Sequence, residues 1–142
     1  KREMNEQNLF LIDTCAMIQI AGATPLQADT AETVEQAARS GRLRISPISA
    51  WEIGMAVARG RINTTLTALR YFNTFLERTG SLLCALDPEV LTQSNSLAGQ
   101  FHKDPMDRIL VATARHYGFT LVTSDRAILA YGRQGHVRAL AC

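Results

Sequence analysis

Short apolar runs of strand length alternate with longer stretches of helical periodicity along this 142-residue chain, and that alternation leaves few folds open. Residues 8–12 (NLFLI), 43–45, 82–86, 119–122 and 137–140 read as strands, the last as an edge strand. Between them, Asp29 to Ser40 reads as a helix capped by Asp29 or Thr30 and followed by Gly41. Ser46-Pro47 looks like a cap with proline at the first helical position, opening a helix to about Arg59. Thr64 to Arg78 carries Leu66, Leu69, Phe72 and Leu76 at helical spacing, with Gly80 beyond. Asp87-Pro88 and Asp104-Pro105 open two more helices, the second running to about Tyr117 and stopped by Gly118. Strands separated by helices imply βαβ units, hence an α/β fold with a parallel sheet covered by helices.

The bulk numbers fit one soluble globular domain over residues 1–142, with 46% apolar and 20% charged residues. A net charge of +2 permits a polyanionic partner without arguing for one. No apolar run reaches the length of a membrane span. The first seven residues, KREMNEQ, are too polar for a secretory signal and are expected to form a flexible extension, with Met4 the expected natural start. Three cysteines (Cys15, Cys84 and Cys142) sit at no metal-finger spacing, which points to a reducing compartment, the cytoplasm.

Four carboxylates stand at or beside expected element ends: Asp13 in LFLIDT, Glu52 in SPISAWEIG, Asp107 in HKDPMDRIL and Asp125 in TLVTSD. In open parallel sheets ligands bind outside the carboxyl ends of the strands. Asp13 and Asp125 sit at two such ends, and Glu52 and Asp107 lie in the first turns of helices that crossover geometry can start on the same rim. Two such charges about 4 Å apart repel by roughly 4 kcal/mol at an effective dielectric near 20, so a cluster needs protons or a divalent cation to offset it.

Each residue also has a local reading without function. Asp13 and Asp125 suit turns or caps after strands. Ser49 to Glu52 matches a capping box, yet a start at Ser46-Pro47 leaves Glu52 inside the helix and free to face a pocket; on local grounds the two weigh equally. Asp104 is explained by capping, and Asp107 at the third helical position only partly so. It is their conjunction on one rim that favours chemistry.

The blocks LFLIDTCA, ISPISAWEIGMAVARGRI, HKDPMDRILVATA and YGFTLVTSDRAI resemble the PIN-domain ribonucleases, and among them the VapC toxins of type II toxin–antitoxin modules. Their order and spacing agree across nearly the whole chain. The resemblance implies a three-layer α/β/α fold with a central parallel sheet of about five strands, Mg²⁺- or Mn²⁺-dependent endoribonuclease activity on RNA, a cognate antitoxin and a homodimer. It maps the family's acidic quartet onto Asp13, Glu52, Asp107 and Asp125, with Thr123 or Ser124 as the polar residue near the last acid. Cys15 stands where many relatives carry His or Asn, and the loop GATPLQAD lacks the tryptophans often found there.

The mechanism then expected has Asp13 and Asp107 as direct metal ligands, Asp125 supporting the metal directly or through water, and Glu52 positioning or deprotonating the attacking water. Such a reaction leaves a 5′-phosphate and a 3′-hydroxyl. His102 reads chiefly as a packing residue. Lys103, Arg59, Arg61, Arg108 and Arg126 could meet phosphates but read individually as solvated. Trp51 reads as a core or dimer-interface anchor. The alternatives are a PIN-fold RNA-processing or RNA-binding protein that is not a toxin, and a receiver-type phosphate-signalling domain. The second lacks a lysine at a late strand end.

Overall fold

The structure, a computed structural model, describes residues 8–142. The N-terminal extension expected over residues 1–7, with its start at Met4, lies outside them. Five strands, β1 (Phe10–Ile12), β2 (Leu43–Ile45), β3 (Leu82–Leu83), β4 (Thr120–Thr123) and β5 (Arg138–Ala141), form one sheet in the order β3-β2-β1-β4-β5. Every pairing is parallel. Among the described residues, seven helices join them: α1 (Thr14–Ala21), α2 (Ala28–Arg39), α3 (Ile48–Ala58), α4 (Ala68–Thr79), α5 (Pro88–Gln93), α6 (Pro105–Tyr117) and α7 (Arg126–Arg133).

Side-chain alternation on the central strands builds two cores. Phe10 and Ile12 of β1, with Val122 of β4, meet Met17, Val34, Ile53, Phe72 and Phe75 from α1 to α4. Leu11 and Leu121 point the other way, onto Leu110, Val111 and Ala114 of α6 and Ile128 and Tyr131 of α7. The result is the three-layer α/β/α arrangement expected from the sequence. Apolar burial on both faces is why β1 and β4 read as continuous apolar runs.

Helix ends follow local chemistry. Ser46 Oγ accepts from Ile48 N at 3.1 Å, so α3 opens at the Ser46-Pro47 signal, not at Ser49. Thr67 caps α4 by accepting from Arg70 N at 3.1 Å, so that helix starts later than the Thr64 expected. The α2 start also differs, since Gln27 takes the cap position and Thr30 instead donates to the Ala141 carbonyl. Gly80 and Gly118 end α4 and α6 in the left-handed region, at φ of 67° and 72°, where any side chain would be strained.

Three elements depart from the sequence expectation. Helix α1 was not anticipated: its residues TCAMIQIA are nearly all apolar, on the exposed positions Cys15 and Ala21 as on the buried Ala16 and Met17, which leaves no amphipathic stripe to read. Strand β3 shrinks to two residues, and Leu82 and Leu83 are exposed on the sheet edge rather than buried. After Asp125, where a turn or a cap for residues 126–129 was expected, Asp125 caps a helix that runs on to Arg133.

Leu121 is fully buried at the centre of the second core, and Leu69 is 66% exposed on α4. Leu121→Ala should lower unfolding free energy by about 3 kcal/mol, as cavity-forming substitutions do. Leu69→Ala should change it by less than about 0.5 kcal/mol. Urea titrations of both variants measure the difference, and equal effects would contradict the layer assignment.

Candidate metal centre

Strand order reverses direction beside β1: the chain moves outward to β2 and β3, then returns to the other side for β4 and β5. The crevice of such a sheet opens at this switch, outside the carboxyl ends of β1 and β4. Asp13 follows β1 directly, its amide donating to the Val122 carbonyl at 3.1 Å. Asp125 lies two residues past β4. Helix α3 begins just past the end of β2, while α6 is reached only after α5 and the irregular segment that follows it. Glu52, one turn inside α3, and Asp107, in the first turn of α6, come to the crevice from the two faces of the sheet, near enough to Asp13 for the charges to interact.

Asp13 is 4% exposed and caps α1, its Oδ1 accepting from Ala16 N at 2.7 Å. The Thr123 hydroxyl also bonds to it. Thr123 is fully buried and accepts from Asp125 N at 2.9 Å, so one hydroxyl ties the two aspartates together. Asp125 caps α7 through Ile128 N at 2.9 Å. On the far side, Thr14 Oγ1 is bonded to Glu52 Oε1 and, at 2.8 Å, to Ser49 Oγ. With α3 started at Ser46-Pro47, Glu52 is no capping residue, and Thr14 fixes it instead. Asp104 caps α6 through Met106 N at 2.9 Å and Asp107 N at 3.4 Å, which leaves Asp107 free to turn inward. Capping and clustering thus coexist in the same side chains.

The carboxyls sense one another. Burial, then the nearby Glu52 and Asp125, push the Asp13 carboxyl up to about 6 against the opposing bonds from Thr123 and Ala16. Burial, then Asp104, Asp125, Glu52 and Asp13, push Asp107 up to about 7. Glu52 is raised chiefly by burial, against the Thr14 bond. The neighbouring Cys15 thiol is raised to about 11 by burial and by all four acids, which favours its protonated form in the metal-free protein. These oxygens at crowded, partly desolvated positions fit a hard divalent cation, which would offset the repulsion.

Several residues stand elsewhere than expected. His102 lies in the cluster, with Nε2 at 3.3 Å from Asp107 Oδ2 and 3.9 Å from Asp125 Oδ1; the three offer ligand atoms within 4.8 Å of one another. Its position three residues before α6 was the signal, outweighed by the packing reading. Arg108 is neither solvated nor turned to phosphates: its guanidinium donates to the carbonyls of Ser94, Phe101 and His102 at 2.8, 3.3 and 3.2 Å. Trp51 is 54% exposed, which removes the core reading.

The raised carboxyls of Asp13 and Asp107 carry a sign for stability. The folded state holds their protons above the ordinary value of 3.8, so it loses stability as pH climbs from there through 6 and 7. For Asp13 alone this is worth about 3 kcal/mol. The metal-free protein should therefore melt at a lower temperature at pH 7.5 than at pH 5. Millimolar Mn²⁺ should raise the melting temperature by roughly 5 °C at pH 7.5 and by little at pH 5. Differential scanning calorimetry checks both; a cation effect equal at the two pH values would contradict the coupling.

Comparison with known proteins agrees with this architecture. The sequence profile described as the PIN domain matches residues 10–134. Ribonuclease VapC22 of Mycobacterium tuberculosis is 28% identical over 89 residues, which cover 63% of this chain and 67% of that protein. Among solved structures, VapBC2 from Rickettsia felis, bound to a DNA fragment from its promoter, superposes with a TM-score of 0.69 at 15% identity, covering 94% of this chain and 98% of that one. DNA-bound VapBC from Salmonella typhimurium gives 0.67 at 16% identity, covering 95% and 98%. With the profile matched over most of its length, and the sheet order and rim acids described above, the chain belongs to the PIN domain family.

Proposed function

We propose that this protein is a metal-dependent endoribonuclease and the toxin of a type II toxin–antitoxin module. The observation that carries the reading is the set of four carboxylates on one rim of the sheet, two of them held well above the ordinary carboxylate range. The likeness to a ribonuclease of the VapC group and to VapBC complexes supports it.

Asp13, Asp107 and Asp125 are the residues that would hold Mg²⁺ or Mn²⁺. When bound, the cation supplies Lewis acidity toward the scissile phosphate and acidifies the attacking water. Glu52, fixed by Thr14 and raised by burial, is placed to take that water's proton. The water oxygen forms a bond to phosphorus, the bond from phosphorus to the 3′ oxygen breaks, and that oxygen takes up a proton. A 5′-phosphate and a 3′-hydroxyl result. Thr123 keeps Asp13 and Asp125 in mutual register.

The antitoxin partner is accommodated by an apolar groove of about 490 Å³ between α1 and α4, lined by Ile18, Ile62, Leu66, Tyr71 and Phe75 and edged by Arg61 and Arg78. A homodimer gives exposed Trp51 a place to be buried. No described helix is long and apolar enough to cross a membrane, and the three thiols are free; the cytoplasm is the compartment that suits them.

Purified protein freed of antitoxin should cleave RNA only with Mg²⁺ or Mn²⁺ and leave 5′-phosphate ends. Asp13→Asn and Asp107→Asn should each reduce cleavage by at least about 100-fold. Asp104→Asn, a cap that asparagine can also serve, should stay within about threefold of wild type. Expression in cells should arrest growth, and coexpression of the adjacent antitoxin gene should relieve it. Cleavage by Asp107→Asn at the wild-type rate, or cyclic phosphate ends, would overturn the mechanism.

A further inference from the structure

His102 sits on the irregular segment joining α5 to α6, and that segment is built rather than loose. Arg108 holds three of its carbonyls. Phe101 lies 4.3 Å from the His102 ring and 5.0 Å from Tyr131, whose hydroxyl donates to the Ala98 carbonyl. The backbone amide of Asp104 donates to His102 Nδ1 at 3.2 Å. An amide can only donate, so Nδ1 must present its lone pair, and the ring's proton is on Nε2. That nitrogen lies 3.3 Å from Asp107 Oδ2, with Asp125 Oδ1 next at 3.9 Å.

We propose that His102 is a positioning residue of the metal site: its Nε2–H donates to Asp107 and fixes that carboxylate's orientation toward the cation. The inference rests on the reading of the rim as a divalent-metal site and assigns His102 a role outside the ligand set. Direct ligation through Nε2 would need the proton moved to Nδ1, which breaks the bond from the Asp104 amide. A donor also suits the cluster electrostatically. It faces two carboxylates that repel each other and gives one of them a partner that does not compete for the cation. Outer partners of this kind orient ligands, and their loss typically costs 10- to 100-fold in metal affinity or activity. The geometry joins the motif at both ends: Asp104 sets the imidazole tautomer, and the imidazole sets Asp107.

Two measurements test this on the full-length protein. The first is imidazole nitrogen shifts from ¹⁵N NMR, recorded without and with Mg²⁺. The Nε2–H form of His102 is expected in both; an Nδ1–H form, or a switch to it on adding Mg²⁺, would make His102 a ligand and overturn the proposal. The second is Mn²⁺ calorimetry on His102→Ala and His102→Gln. The alanine variant should bind Mn²⁺ about 10-fold more weakly and lose kcat on RNA with KM unchanged. The glutamine variant, whose amide keeps a donor near the Nε2 position, should recover to within about threefold of wild type. Alanine binding as well as wild type, or glutamine binding as poorly as alanine, would overturn the positioning role. Wild-type protein that binds no Mn²⁺ would instead overturn the metal reading, and the inference with it.

Discussion

A parallel strand is reached only by a crossover, and here α1, α3 and α7 begin just past the carboxyl ends of β1, β2 and β4. In this sheet β1 lies between β2 and β4, so the ends of these three strands and the starts of α1, α3 and α7 open on one crevice, which α6 enters from the irregular segment after α5. Like charges gather there because connectivity leaves them nowhere else. Asp13 and Asp125 come from adjacent strand ends, and Glu52 and Asp107 from helix starts on the two faces of the sheet. The two cores on either side hold this geometry by burying alternate residues of β1 and β4.

The crowding is made tolerable by bonds that do other work as well. Asp13 and Asp125 each satisfy a helix N-terminus, where a carboxylate is favoured by the orphan amides and the dipole. Thr123 and Thr14 each link two elements by a hydroxyl. Helix capping lowers the cost of the acidic site, and the acidic site accounts for features that capping leaves unexplained, such as Asp107 turned inward beside a cap already supplied by Asp104.

Much of this was legible in the residues. Strand and helix alternation gave the α/β class, and proline after serine or aspartate marked the α3, α5 and α6 starts within a residue or two. The four acids could be singled out because each stood at an element end. What escaped had physical reasons. Helix α1 is apolar at exposed positions as well as buried ones, so its periodicity is blank. The leucines of β3 look like a buried run, yet they lie on an open edge. Glu52 was ambiguous because two overlapping cap signals, Ser46-Pro47 and Ser49, precede it by different distances. His102 and Arg108 owe their roles to contacts across an irregular segment, which no periodic pattern encodes. Arg108 looked like any surface cation because a sequence cannot show carbonyls converging on a guanidinium.

That convergence has an entropic consequence. A segment such as residues 94–104, without regular structure, would ordinarily sample many conformations and have to lose them whenever the site closed on a ligand. Here Arg108 draws its two ends together, and Tyr131 holds its middle at Ala98. The ordering is completed when the chain folds, once, rather than at each encounter. Binding at the rim then draws a smaller ordering cost from the loop beside it.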